Sequence, residues 1–206
     1  MKDIISIDLY EPLENIALPN PKLMMFYKDL ESRILWIDSE ITDDYLDFGK
    51  YIIQWNKEDM GIDPEKRKPI KIMIFSPGGD LDINDYLIDL IKISKTPVYG
   101  INMGVAYSSA CCIFMACHKR YALNNSVFLI HKGYGEMNGS YDEVIMQAEE
   151  YQRKIGKLIN FIISNSGISE DEISERIYTD WYISADDAYH KYGFVDCIVE
   201  DIDILT

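Results

Sequence analysis

Residues 70–94 read IKIMIFSPGGDLDINDYLIDLIKIS. The run IKIMIF is nearly continuous in apolar residues, which suits a strand buried on both faces of a sheet. Ser76, Pro77, Gly78 and Gly79 then break it, and from Leu81 the apolar positions return at helical spacing. Strand, tight turn and helix follow one another within 25 residues. Downstream, PVYGINM (97–103) reads as a second strand, SSACCIFMAC (108–117) as a short buried helix and VFLIH (127–131) as a third strand. Repeated strand-then-helix units predict an α/β layered domain with a mainly parallel sheet and right-handed crossovers. Upstream, PKLMMFYKDLESR (21–33) is helical in pattern, RILWID (33–38) is β-prone and DDYLDFGKYIIQWNKE (43–58) is again helical. Residues 1–20 carry two prolines and little periodicity, and read as an extended arm. The polar stretch 60–69 reads as a surface loop whose Lys66, Arg67 and Lys68 are solvated.

Past the glycine-containing 132–140, residues 141–166 form the longest helical candidate, with Gly167 expected as its left-handed terminator. Ser169 with Glu172, and Ser184 with Asp187, are Ser-x-x-acid starts for two further helices, the second ending near Gly193. VDCIVE (195–200) supplies a last strand. One domain, 1–206, is expected.

The 206 residues are 48% hydrophobic and 27% charged, in the range of an ordinary globular chain. A formal charge of −15 repels nucleic-acid phosphates and anionic membranes, so neither is expected as a partner. No window reaches the roughly 18 to 20 apolar residues of a bilayer span, and the acidic MKDIISIDLYEPLEN does not resemble a signal peptide. A cytoplasmic protein is expected. Cys111, Cys112, Cys117 and Cys197 suggest no disulfide framework. Cys112, Cys117 and His118 could be considered for zinc, but buried thiols acting as small hydrophobes are the commoner case, and no metal site is expected.

Three histidines are present. His118 closes the short apolar helix, where a cation meets the helix dipole, and His190 lies late in another helix. His131 ends the strand VFLIH and opens onto a glycine-rich stretch, at the carboxyl edge where α/β sheets usually place chemistry. An imidazole base there needs a nucleophile. Ser108 in GVAYSSA follows a strand and starts a helix, where free N–H groups and a partial positive charge favour an oxyanion. An ordinary helix cap is the competing explanation, and Ser109 could fill either role. The segment does not fit the G-x-S-x-G elbow. Asp180, in a loop before the Ser184 cap, could orient the imidazole. In SPGG the glycines allow close backbone approach, so that Gly79 N–H could face a carbonyl oxygen; a plain tight turn fits equally well.

FSPGGD, GVAYSSA, KRYALNNSVFLIH and DWYISADDAYHKYGFVD resemble, in order and spacing, the ClpP family of serine peptidases, the proteolytic subunit of the Clp protease, over about residues 34–199. The resemblance places the nucleophile on Ser108, the base on His131, the orienting acid on Asp180, and the backbone oxyanion donors on Gly79 and Ser109. It implies a crotonase-like fold of ββα units with a protruding handle region at about 134–166. It also implies assembly into heptameric rings, with an AAA+ unfoldase delivering polypeptide. No cofactor is expected in this chain. It has no G-x-x-x-x-G-K-[ST] loop, so any ATP would be hydrolysed by the partner. The sequence departs from the family at Tyr178 and Thr179, which replace an acid-Arg pair used between rings, leaving one ring or two open. It departs again at Lys132 and Gly133, which replace Gln-Pro beside the substrate groove. Two other readings compete: a catalytically silent ring-forming scaffold, and an acyl-CoA enzyme on the same fold.

Overall fold

In the computed structural model, which describes residues 20–205, the strands form one seven-stranded sheet. They are β1 (Ile34–Ile37), β2 (Ile70–Ser76), β3 (Val98–Tyr107), β4 (Lys119–Leu123), β5 (Val127–Ile130), β6 (Trp181–Ser184) and β7 (Cys197–Val199). The helices are α1 (Pro21–Glu31), α2 (Leu46–Glu58), α3 (Leu81–Ile93), α4 (Ser109–Ala116), α5 (Tyr141–Ser164), α6 (Glu170–Arg176) and α7 (Ala185–His190). The reading of residues 1–20 as an arm lies outside the described residues apart from Asn20, whose side chain caps α1 by accepting from Lys22 N–H at 2.9 Å.

The strand order is β1-β2-β3-β4-β7, every pair parallel, while β5 joins β3 in parallel and β6 in antiparallel. On the side away from β2, long β3 serves two ladders in succession. Tyr99–Asn102 pair with β4, and Val105–Tyr107 pair with β5. At the change of partner, fully buried Asn102 accepts from Gly104 N–H at 3.0 Å and donates to Val127 C=O at 3.1 Å. One amide thus satisfies backbone groups on both strands where the regular ladder is interrupted.

Helix α4 is buried along its whole length, as expected of a helix apolar on all sides, and packs among α3, β2 and β3. Asp80 caps α3 by accepting from Asp82 and Ile83 N–H groups at 2.7 and 3.0 Å, so the SPGG turn passes directly into a helix start. The capping box Ser140/Glu143 starts α5, whose buried residues, Ile155 and Ile162, lie in its second half. The first half therefore stands clear of the core.

Several local expectations need correction. Gly167 does not terminate α5 in the left-handed region; the helix ends at Ser164, with Asn165 as its C-cap at φ −116°. The strands β4 and β6 carry little signal of their own, because KRYAL has only three apolar residues after two cations and WYIS has only four residues. Of the loop cations, Lys66 is exposed as expected, while Arg67 and Lys68 also bond to the chain. Arg67 donates to Ile62 C=O at 3.0 Å and to Thr96 Oγ1 at 3.3 Å, and Lys68 donates to Glu31 C=O at 3.2 Å. His118 is not a helix-end cation: its Nδ1 accepts from Val98 N–H at 3.0 Å, and burial pushes its pKa down.

The turn between α1 and β1 is held by Arg33, whose guanidinium grips Asp59 at 2.7 and 2.9 Å, while Thr96 Oγ1 donates to the same carboxylate at 2.8 Å. These bonds, Arg33 first, hold the Asp59 carboxyl below its ordinary pKa. A carboxylate depressed by folding stabilises above its unfolded pKa, and the contribution fades as pH falls through the ordinary carboxylate range toward the folded value. Asp59→Asn is expected to lower the unfolding free energy at neutral pH by about 3 kcal/mol and to flatten its fall in acid, as read by denaturant titrations across pH.

Candidate functional site

Strand β5 determines which side chains meet at the carboxyl edge of the sheet. On one side Tyr107 of β3 pairs with Leu129, and Ser108 N–H donates to Leu129 C=O at 2.8 Å, bringing Ser108 alongside the end of β5. On the other side β6 runs antiparallel with Ile130 opposite Trp181, so the next residues along the register, His131 and Asp180, come face to face. Their side chains meet with His131 Nδ1 at 3.0 Å from Asp180 Oδ1. Lys132 N–H donates to Ile177 C=O at 2.7 Å and draws the segment before Asp180 toward the same edge.

Ser108 occupies the sharp turn from β3 into α4, with φ 53° and ψ −124°. A non-glycine residue there carries strain, which is retained where the surroundings over-determine the backbone. The surroundings are close on every side. Gly78 has φ +92°, and a Cβ on it would lie 2.5 Å from Tyr107 O and 2.8 Å from Ser108 Cβ. A Cβ on Gly79, at φ +155°, would lie 2.2 Å from Ile41 O. Close backbone approach thus requires both glycines, Gly78 against the serine turn and Gly79 against Ile41.

The two serines differ in surroundings. Ser108 lines a cleft of about 460 Å³ together with Pro77, Gly78, Gly79 and His131. Ser109 is 1% exposed and does not line that cleft; its Oγ accepts from Gly79 N–H at 2.7 Å and donates to Gly79 C=O at 3.2 Å. The cleft therefore holds Ser108 and His131 together, with Asp180 behind the imidazole, but no hydrogen bond joins Ser108 Oγ to His131 among the described residues. Nor is the Gly79 N–H left open to the cleft, since Ser109 Oγ takes it.

Residues absent from the sequence reading also shape the cleft. Tyr151 of α5 donates its hydroxyl to Lys132 C=O at 2.9 Å, fastening the helix to the segment after His131, and Tyr134 stands edge-on to the imidazole at 6.5 Å. Glu40, Leu81 and Leu158 complete the wall. In a helix with many polar positions, nothing in the spacing marks Tyr151 as different from its neighbours. Lys132 also lies 5.6 Å from the ring of Tyr178, so two of the positions where the sequence departs from the family pattern touch each other. Cys112 and Cys117, considered for metal, are fully enclosed, and burial pushes each thiol up to about 12.

Residues 22–201 match the family model described as Clp protease. The chain belongs to the Clp protease family. It is 31% identical over 179 residues to the ATP-dependent Clp protease proteolytic subunit 2 of Treponema pallidum, covering 86% of this chain and 87% of that protein. A second similar protein, the subunit of the same name from Treponema denticola, is 32% identical over 136 residues, 65% of this chain and 68% of that one. A solved ClpP1 point mutant from Listeria monocytogenes superposes with a TM-score of 0.73 at 27% identity, covering 88% of this chain and 99% of that one. The architecture is therefore the ClpP-type fold. In this Clp protease chain no helix among the described residues is long and apolar enough to cross a membrane.

The crowding at Gly78 is open to a direct comparison. Gly61 has a similar φ of +88° but open space around it. Gly61→Ala should cost about 1 kcal/mol of backbone strain, whereas Gly78→Ala should cost roughly 2–4 kcal/mol because the serine turn must also move, as measured by denaturant unfolding. Equal losses would show that the SPGG loop and the Ser108 turn are not in contact.

Proposed function

We propose that this Clp protease family chain is a serine endopeptidase subunit that uses Ser108 as nucleophile, His131 as general base and Asp180 as the orienting acid. The observation that carries this reading is the 3.0 Å contact between His131 Nδ1 and Asp180 Oδ1 beside a cleft that also contains Ser108. A carboxylate on Nδ1 selects the tautomer that leaves Nε2 free to accept a proton. Ser108 Oγ would attack a peptide carbonyl while His131 takes its proton. The resulting imidazolium, stabilised by Asp180, would return the proton to the leaving amine. Water then hydrolyses the acyl-enzyme by the same base. The N–H groups of Gly79, in the SPGG turn, and of Ser109, at the start of α4, would receive the developing oxyanion. Closure of a missing Ser108–His131 bond on substrate binding is ordinary behaviour, since such bonds often tighten only in the complex.

The substrate in this reading is unfolded polypeptide. The working unit is a ring of this chain, heptameric by its family resemblance, fed by an AAA+ unfoldase that supplies the ATP hydrolysis. A silent scaffold is the second reading. It is favoured by the occupied Gly79 N–H and the unformed Ser108–His131 bond.

A fluorophosphonate is expected to modify the assembled protein at Ser108 and not to modify Ser108→Ala. Asp180→Asn should lower kcat on the order of 10³- to 10⁴-fold, because the amide favours the wrong imidazole tautomer. Undiminished modification of Ser108→Ala would reject the assignment, and a well-assembled wild type that is never modified would support the scaffold.

A further inference from the structure

Next to the proposed nucleophile lies a hydroxyl that the reaction does not use. Ser109 is 1% exposed, and its Oγ spends both polar functions on one residue, accepting from Gly79 N–H at 2.7 Å and donating to Gly79 C=O at 3.2 Å. Gly79 has little freedom to turn away. On its far side Ile41 N–H donates to Gly78 C=O at 2.8 Å and Asp80 N–H donates to Ile41 C=O at 2.9 Å. Gly78 N–H is itself engaged by Ser76 Oγ at 3.1 Å. The loop is thus held between Ile41 on one side and Ser109 on the other.

Under the peptidase reading, on which this inference rests, Gly79 N–H is one of two donors aimed at the oxyanion. Such a donor is effective when it is preorganised and unoccupied before charge develops. Here a buried neutral hydroxyl already occupies it. We propose that the Ser109 side chain is a latch on the oxyanion site, holding Gly79 N–H in the resting state and releasing it when a tetrahedral oxyanion forms. The hydroxyl has a fallback on release, because it can keep its own donated bond to Gly79 C=O. Only one neutral hydrogen bond is therefore exchanged for a charge-assisted one, and the latch should slow acylation by roughly two- to tenfold without preventing it. The Ser109 side chain acts through Gly79 and has a positioning role, distinct from that of the Ser109 backbone N–H as the second oxyanion donor.

A purely structural tie between the SPGG loop and α4 predicts the opposite sign, since its loss would loosen the donor and slow the reaction. The test uses the assembled protein and compares wild type with Ser109→Ala by the rate of fluorophosphonate modification and by steady-state peptide hydrolysis. The latch predicts a two- to tenfold faster modification and a raised kcat with KM unchanged. Ser109→Thr, which retains the hydroxyl, should show no gain. Ser109→Cys, nearly isosteric and a weaker acceptor, should show a smaller gain and serves if Ser109→Ala fails to fold. Unchanged or slower modification in a folded, assembled Ser109→Ala or Ser109→Cys protein overturns the latch while leaving the Ser108 assignment intact. If neither wild type nor variant is modified, the peptidase reading fails and the latch falls with it.

Discussion

Strand β5 is four residues long, and the candidate site depends on its having a different partner on each side. Its parallel ladder with β3 brings the serine turn to its end, and its antiparallel ladder with β6 sets the carboxylate opposite the imidazole. A slip of one residue in the second ladder would reverse which face each side chain presents and separate Asp180 from His131. The register is held by burial. Phe128, opposite Ile183, is fully enclosed and meets Phe114 of α4 and Phe194 at ring distances of 4.9 and 5.0 Å. Aromatic packing in the core thus governs polar geometry at the sheet edge.

The same economy applies to β3. It must leave β4 for β5 to deliver Ser108 to the edge, and the change of ladder is made tolerable by Asn102, a buried amide whose hydrogen bonds replace the missing strand pairing. The strain at Ser108 is opposed by the wholly buried α4 that follows it. Two glycines then let a second loop come within contact of that turn. Apolar burial, backbone satisfaction and backbone strain therefore serve one arrangement, in which a hydroxyl and an imidazole share a cleft with a carboxylate behind the imidazole.

Much of this was legible in the amino-acid order. IKIMIF announced β2 because its apolar run is long, and the Ser-x-x-acid starts of α6 and α7 are present as hydrogen bonds of 3.2 and 3.1 Å from Glu172 and Asp187 N–H groups. Ser108 and His131 could be singled out because each follows or ends an apolar strand, and Asp180 because it lies in a loop before the Ser184 cap. What remained hidden is what only long-range pairing determines. The β5–β6 contact joins residues about 50 positions apart, and four-residue WYIS carries too little pattern to reveal it. Asn102 reads as one polar residue within a strand, and Tyr151 as one helical tyrosine among polar neighbours. Residue chemistry alone left the roles of Ser108 and Ser109 open, since adjacent serines at a helix start are alike until packing buries one of them, and only the family resemblance chose Ser108.

The central claim is that two pairings of β5 bring a serine hydroxyl and a histidine imidazole to a common reacting centre. A peptidyl chloromethyl ketone tests it most directly, since one molecule can be attacked by a serine at its carbonyl and alkylated by a histidine at its methylene carbon. The assembled protein should take up one such molecule per chain, with peptide mapping placing the stable alkylation on His131 and a crystal structure of the adduct showing the hemiketal bond to Ser108. Alkylation falling on His118 or His190, or an adduct on His131 with Ser108 beyond bonding distance, would contradict the account.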